Sequence, residues 1–257
     1  MAYFKKAFSP TWIVGYDMCP FKQVNEKFKE SAPLLFGKLV HDLSERAIAG
    51  KWDVARFKEV GKEKLLETAI PFTKFSPRLQ KIANNFFKEQ FQIKKGFEIL
   101  DLESKHCPPA FKNILYGKPY AAVPLFTQGR KLRGSVDRID IDKGAKRIHI
   151  RDYKTGTAPV KNMSQLFSYA VQACIMYDWL DLDEWVIVCS FDYLEMGKQV
   201  PDPPLWAKPD ALVKHISDIR GIVEEYDGGI HSKRSGSHCR FCSIENCEMR
   251  KYPYYGR

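Results

Sequence analysis

The sequence predicts a mixed α/β fold, and three observations carry that reading. The first hundred residues show helical periodicity crowded with aromatics, the stretch from Glu98 breaks into short apolar runs punctuated by Gly and Pro, and helical patterns return between and after those runs.

Taken in order, helices are expected near residues 12–28, from about Gly37 to Ala49, and over Pro77 to Phe97. Phe86, Phe87, Phe91 and Phe97 fit a core face better than a base-stacking surface. Strands are expected at Glu98–Lys105, Tyr120–Thr127, Lys131–Asp142, Arg147–Lys154 and Trp185–Leu194. Asp142-Lys143-Gly144-Ala145 reads as a hairpin turn, with Gly144 supplying a positive φ. A helix over Ser164–Leu180 separates the last two strands, and another covers about Asp210 to Tyr226 after the Pro-rich loop Pro201–Pro209.

A chain of 257 residues with 44% hydrophobic content can bury a full core. It therefore reads as a single domain, 1–257, with a mainly helical part at 1–97, a core at 98–227 and a Gly-, Ser- and Cys-rich tail at 228–257. Lys and Arg number 41 against 31 Asp and Glu, a formal charge of +10. That excess favours a polyanion such as nucleic acid over an acidic small molecule, a solvated basic surface being the alternative. No run approaches the ~20 apolar residues of a membrane helix, and the opening MAYFKKAFSP lacks the apolar centre of a signal peptide, so a cytoplasmic, reducing location is expected. Seven cysteines in such a compartment suit buried thiols or metal ligands better than disulfides.

Alternate strand residues share a face, so Ile148, Ile150, Asp152 and Lys154 line one side of their strand while Arg147, His149, Arg151 and Tyr153 line the other. Asp137 shares its face with Ile139 and Ile141, leaving Arg138, Asp140 and Asp142 on the polar side. An apolar face thus ends in two acids and a lysine. A carboxylate there costs several kcal/mol unless a cation compensates it, and two converging carboxylates call most naturally for a divalent metal. A plain Lys154–Asp salt bridge is the competing explanation.

Asp137 followed across a hairpin by Asp152-Tyr153-Lys154 resembles the PD-(D/E)XK nuclease superfamily. The longer stretches Gly134-Ser-Val-Asp137-Arg-Ile-Asp140 and Asp152-Tyr-Lys154-Thr-Gly156 resemble its RecB-like branch. Gln165-Leu-Phe-Ser-Tyr169 resembles that branch's Gln-x-x-x-Tyr motif, whose i, i+4 spacing puts both side chains on one helical face. Phe36-Gly-Lys-Leu-Val-His41 resembles its histidine-bearing helix. The resemblance implies a restriction-endonuclease-like fold, a central mixed sheet flanked by helices. It also implies Mg²⁺ or Mn²⁺ held by Asp137, Asp152, His41 and the Tyr153 carbonyl, with Lys154 acting on the attacking water and the phosphate and Gln165 and Tyr169 in support. Glu103 lies where relatives often carry another acid, but its spacing to Asp137 is long and it is read as surface or structural.

Cys239-Arg-Phe-Cys242-Ser-Ile-Glu-Asn-Cys247 sets three thiols within nine residues, and Cys19 lies near the start of the chain. This one-plus-three order resembles the iron–sulfur branch of the RecB-like nucleases, which includes AddB and the CRISPR adaptation nucleases. The resemblance implies a [4Fe–4S] cluster closing the tail onto Cys19; four thiolates suit a structural Zn²⁺ equally well by composition, and His238 could replace one of them. Cys107, Cys174 and Cys189 sit in or beside apolar runs and read as bystanders.

The resemblance thus implies an enzyme, a metal-dependent deoxyribonuclease acting as an exonuclease on single strands or DNA ends in recombination, repair, replication or CRISPR adaptation. A catalytically silent DNA-binding or scaffolding protein with a bound cluster or zinc is the alternative. No G-x-x-x-x-G-K-[ST] P-loop is present, so unwinding would need a helicase partner.

Overall fold

A computed structural model describes residues 7–26, 30–88, 91–92, 98–106, 131–132, 134–157, 162–177, 179–229, 231–236, 238–239, 242–244 and 247–251. Five strands form one mixed sheet in the order β2-β4-β5-β6-β7: β2 is Glu98–His106, β4 Gly134–Asp142, β5 Arg147–Lys154, β6 Val186–Tyr193 and β7 Lys198–Trp206. The central β5 pairs antiparallel with β4 and parallel with β6. That change of direction requires a crossover, and α6 (Ser164–Met176) supplies it. A separate two-stranded ribbon joins β1 (Ala7–Phe8) to β3 (Lys131–Leu132).

Two helical layers enclose the sheet. Ile139, Ile141, Ile148 and Ile150 pack on one face with residues of α6, of α1 (Pro10–Met18) and of α7 (Pro209–Asp227). On the other, Tyr153 and Leu194 join a core built by α3 (Ala32–Ala49), α4 (Val54–Leu66) and α5 (Phe72–Phe86). Each buried Ile contributes roughly 1.5–3 kcal/mol by leaving water, so the period-2 pattern of β4 and β5 fixes which face meets which layer. Among the described residues no helix is long and apolar enough to cross a membrane.

Several elements depart from expectation. The helix expected over 12–28 divides at Cys19, because Pro20 begins α2 (Pro20–Asn25) and leaves the preceding residue extended. The helix expected over Pro77 to Phe97 starts earlier and stops at Phe86, with Pro77 inside its first two turns. The expected helix over Ser164–Leu180 ends at Met176. α4 was not anticipated; Asp53 caps it by accepting from Arg56 N–H at 2.8 Å. The Pro-rich stretch expected to be a loop is largely edge strand β7. Its prolines are tolerated because Pro201, Pro203 and Pro204 lie where the β6–β7 register slips, between Phe191↔Val200 and Cys189↔Leu205. At the hairpin, Asp142 Oδ1 accepts from Ala145 N–H at 2.9 Å, and the positive φ falls on Lys146 at 47° rather than on Gly144. The strand expected at Tyr120–Thr127, Phe97 and Cys107 lie outside the described residues, as do the side chain of Glu103 and the contacts it makes.

Candidate active site

The β4–β5 ladder ends at Arg138↔Arg151. One step further stand Asp137 and Asp152, 5% and 2% exposed. Here Tyr153 N–H donates to Oδ2 of Asp137, a side-chain acceptor at the point where main-chain pairing of the two strands stops. N–H and C=O of one strand residue point the same way, so the Tyr153 carbonyl also opens towards β4. Its ring turns into the α3–α5 core, edge-on to Phe86 at 5.9 Å and to His41 at 6.2 Å.

His41 reaches in from α3, with Nδ1 3.0 Å from Oδ1 of Asp137. From the opposite layer α6 contributes Gln165 and Tyr169. Gln165 Nε2 donates to Asp152 Oδ1 at 3.2 Å and to the Tyr169 hydroxyl at 2.8 Å, while its Oε1 accepts from Lys154 Nζ at 3.1 Å. The i, i+4 spacing read from the sequence therefore serves a network bridging helix and strand. Burial first, then the charges of Asp152 and Asp137, holds the Tyr169 hydroxyl well above its ordinary range, so it is a neutral phenol at Gln165.

Lys154 Nζ approaches Oδ2 of Asp152 to 2.5 Å without hydrogen-bond alignment, and that oxygen is buried with no aligned donor. In this state the plain ion pair with Lys154, named above as the competing explanation, compensates the shielded Asp152 carboxylate. Together with Asp137 and an imidazole that carboxylate gives the oxygen-rich donor set that suits Mg²⁺ or Mn²⁺. The donors are not gathered, however: His41 and Asp137 pair with each other while Asp152 is drawn to Lys154 and Gln165. Among the described residues no three His, Cys, Asp or Glu side chains converge in metal-holding geometry.

Phe191 was not anticipated. It lies beside Asp152 on the parallel strand β6, with its ring 5.0 Å from Lys154 Nζ. Such a cation–π contact is worth roughly 0.5–2 kcal/mol, and no local motif signals it because the two strands are separated by a helix. A groove of ≈ 520 Å³ opens alongside the site, lined by Pro33, Gly37, Lys38, His41, Glu45 and Thr155 among others.

The side of β4 and β5 assigned to polar residues is buried as well. Arg138 Nε donates to Asp140 Oδ1 at 2.6 Å and Nη1 to the Phe91 carbonyl at 2.8 Å; Arg151 Nε donates to Asp192 Oδ2 at 2.7 Å. Ser190 Oγ donates to Asp192 Oδ1 at 3.1 Å, so His149 Nε2, 2.9 Å from Ser190 Oγ, is the donor to that hydroxyl.

The tail lies on the start of the chain. Phe21 N–H donates to the Ser232 carbonyl at 3.2 Å, Ser243 N–H to Glu26 Oε1 at 2.8 Å, and Arg234 pairs with Asp17 at 3.7 Å. Cys242 N–H donates to the Cys239 carbonyl in a turn, and Cys19 sits buried where α1 meets α2. Cys19, Cys239, Cys242 and Cys247 are all free thiols, as are Cys174 and Cys189, whose burial pushes both thiols up, that of Cys174 to about 12.

A family model for the PD-(D/E)XK nuclease superfamily matches residues 7–247. No curated protein matches the chain.

Proposed function

Because the chain belongs to the PD-(D/E)XK nuclease superfamily, whose members hydrolyse phosphodiester bonds, we propose that it is an exonuclease acting on single-stranded DNA or DNA ends. The centre is Asp137, Asp152 and Lys154, with Mg²⁺ or Mn²⁺ held by both carboxylates, His41 and the Tyr153 carbonyl. The observation that carries this reading is the meeting of α3, β4, β5 and α6 at one point, which brings two buried carboxylates, an imidazole and a lysine together. When bound, the divalent ion lowers the pKa of a water and offsets charge on the scissile phosphate.

The chain's own residues supply the rest. Lys154 carries a positive charge beside Asp152, between that carboxylate and the scissile phosphate, where it acts on the attacking water and offsets phosphate charge. Gln165 holds Lys154 and Asp152 at once, and Tyr169 fixes the Gln165 amide. The groove beside His41 gives a DNA strand a path to the centre. The four terminal thiols hold a [4Fe–4S] cluster, with Zn²⁺ as the other metal of matching chemistry, in a unit where 1–97 is the helical part, 98–227 the catalytic core and 228–257 the closing tail. The contacts of the tail with α1 and α2 support that closure. A helicase would provide unwinding in recombination, repair or adaptation.

The test is cleavage of labelled linear and circular DNA, single- and double-stranded, by anaerobically purified protein with Mg²⁺ or Mn²⁺, alongside Asp152→Ala and Lys154→Ala. Loss of cleavage in both variants is expected, with circles resisting. Equal degradation by all three proteins would remove the proposed centre, and tight DNA binding without any cleavage would make the protein a scaffold. A colourless preparation containing zinc but no iron or sulfide would remove the cluster alone.

A further inference from the structure

The main chain at the end of β5 is held by α5, the helix whose Phe86 also packs on Tyr153. α5 presents Arg78 and Asn85, seven residues and two turns apart, on one face. Arg78 Nη2 donates to the Thr155 carbonyl at 2.9 Å, and its Nε and Nη2 donate to Glu195 Oε2 at 2.9 and 2.7 Å. Asn85 Nδ2 donates to the carbonyls of Leu194 and Glu195 at 2.8 and 3.1 Å. The circuit closes through Leu194 N–H, which donates to the carbonyl of Lys154 itself at 2.9 Å. The guanidinium also lies 5.0 and 5.1 Å from the Phe36 and Phe75 rings, which restrict its orientation.

Strand β5 ends at Lys154, so sheet register no longer dictates the path of the chain at the residue that follows. A rigid planar fork is suited to fixing such a point because it serves a carbonyl and a carboxylate together, which an ammonium on a flexible stem does not. Two of its three nitrogens are committed within the protein, and Glu195 stands against an approaching phosphate. Arg78 therefore faces inward rather than towards DNA.

We propose that Arg78, with Glu195 and Asn85, is a positioning residue for the reaction: it fixes the main chain at Lys154 and the residue that follows so that the ammonium stays between Asp152 and the scissile phosphate. This rests on the nuclease reading. The test uses the full chain and compares wild type with Arg78→Met, Arg78→Lys, Glu195→Gln and the double variant Arg78→Met/Glu195→Gln. Methionine keeps an apolar stem against Phe36 and Phe75 while removing the fork.

Misplacing a reacting group by about 1 Å costs on the order of 100-fold, so kcat in Arg78→Met should fall roughly 10- to 100-fold. KM, and DNA affinity measured with Ca²⁺ in place of Mg²⁺, should stay within about twofold. Arg78→Lys should recover only part of the loss, and the double variant should be no slower than Arg78→Met, since both substitutions cut the same tie. Independently of cleavage, amide exchange at Leu194 should accelerate by about tenfold or more in Arg78→Met while Ile150 keeps its protection. Weakened DNA binding at unchanged kcat would make Arg78 a substrate contact instead, and loss of protection throughout the sheet would make it merely structural. Should wild type fail to cleave any DNA, the nuclease reading falls, and unchanged Leu194 exchange in Arg78→Met would still overturn the clamp.

Discussion

The two faces of β4 and β5 carry the same kinds of side chain and do opposite things with them. On one, Arg138, Asp140, Arg151 and Asp192 are at most 2% exposed, and their charges meet opposite charges, a main-chain carbonyl and neutral donors. On the other, Asp137, Asp152 and Lys154 stand at the strand ends, where the ladder stops and Asp152 pairs with the partly exposed Lys154. Burial of charge does not distinguish a structural network from a reactive centre. Nor does an unpartnered atom or a cleft, since Arg138 Nη2 lacks a partner too and a smaller cleft reaches Arg138. What sets the centre apart is its place at the strand ends, where side chains from both helical layers meet.

The sharpest way to break this comparison is to neutralise one acid on each face. Asp152→Asn should abolish most cleavage, a loss of about 10³-fold or more, while chemical denaturation places its stability within about 1 kcal/mol of wild type. Asp192→Ala should do the reverse. It strands the buried Arg151 guanidinium and should cost on the order of 3–5 kcal/mol, with specific activity of the folded fraction retained. If Asp192→Ala inactivates a protein that remains folded, the faces are not functionally distinct. A smaller effect is expected from Gln165→Ala, which frees Lys154 and Asp152 without removing either charge and should lower kcat by roughly tenfold, read in single-turnover cleavage.

The smallest concerns a third buried group. Ser168 Oγ gives its proton to the Ser164 carbonyl at 2.9 Å, so His215 Nε2 is the donor to that hydroxyl and the imidazole is neutral. Burial lowers His215 from 6.5 to about 4, with Asp218 opposing and Lys214 reinforcing the shift. Since the unfolded chain binds the proton more readily, the contribution is full above pH 6.5 and is lost as pH falls towards 4. Denaturation midpoints should therefore drop more steeply across that window in wild type than in His215→Gln.

The parts of the centre that were legible in the sequence are those whose signal is local. Period-2 alternation placed Asp137 and Asp152 on the apolar face, and the i, i+4 spacing of Gln165 and Tyr169 placed both on one side of α6. Arg138, Asp140, His149 and Arg151 were legible as a polar side, but not as an interior one. What buries them is Phe91 and Asp192, tens of residues away, and the helical layer above them. Phe191 and Arg78 escaped notice for the same reason, since each meets the centre only through the sheet or through a distant helix. α4 went unrecognised because its buried positions, Phe57, Val60, Gly61 and Leu65, include a glycine and leave only a sparse apolar stripe. The slip that hides three prolines in β7 leaves no mark on the sequence that separates it from a loop.

That slip also bears on how molecules of this protein meet. An open sheet edge offers main-chain donors and acceptors to any extended chain, including another copy of itself. Among the described residues β7 is such an edge, yet prolines at 201, 203 and 204 supply no N–H groups, and the irregular register opposite Cys189 and Phe191 interrupts the strand that an incoming chain would have to follow. Edge-to-edge growth from β7 is thereby blocked by composition and geometry together, two strands away from β5.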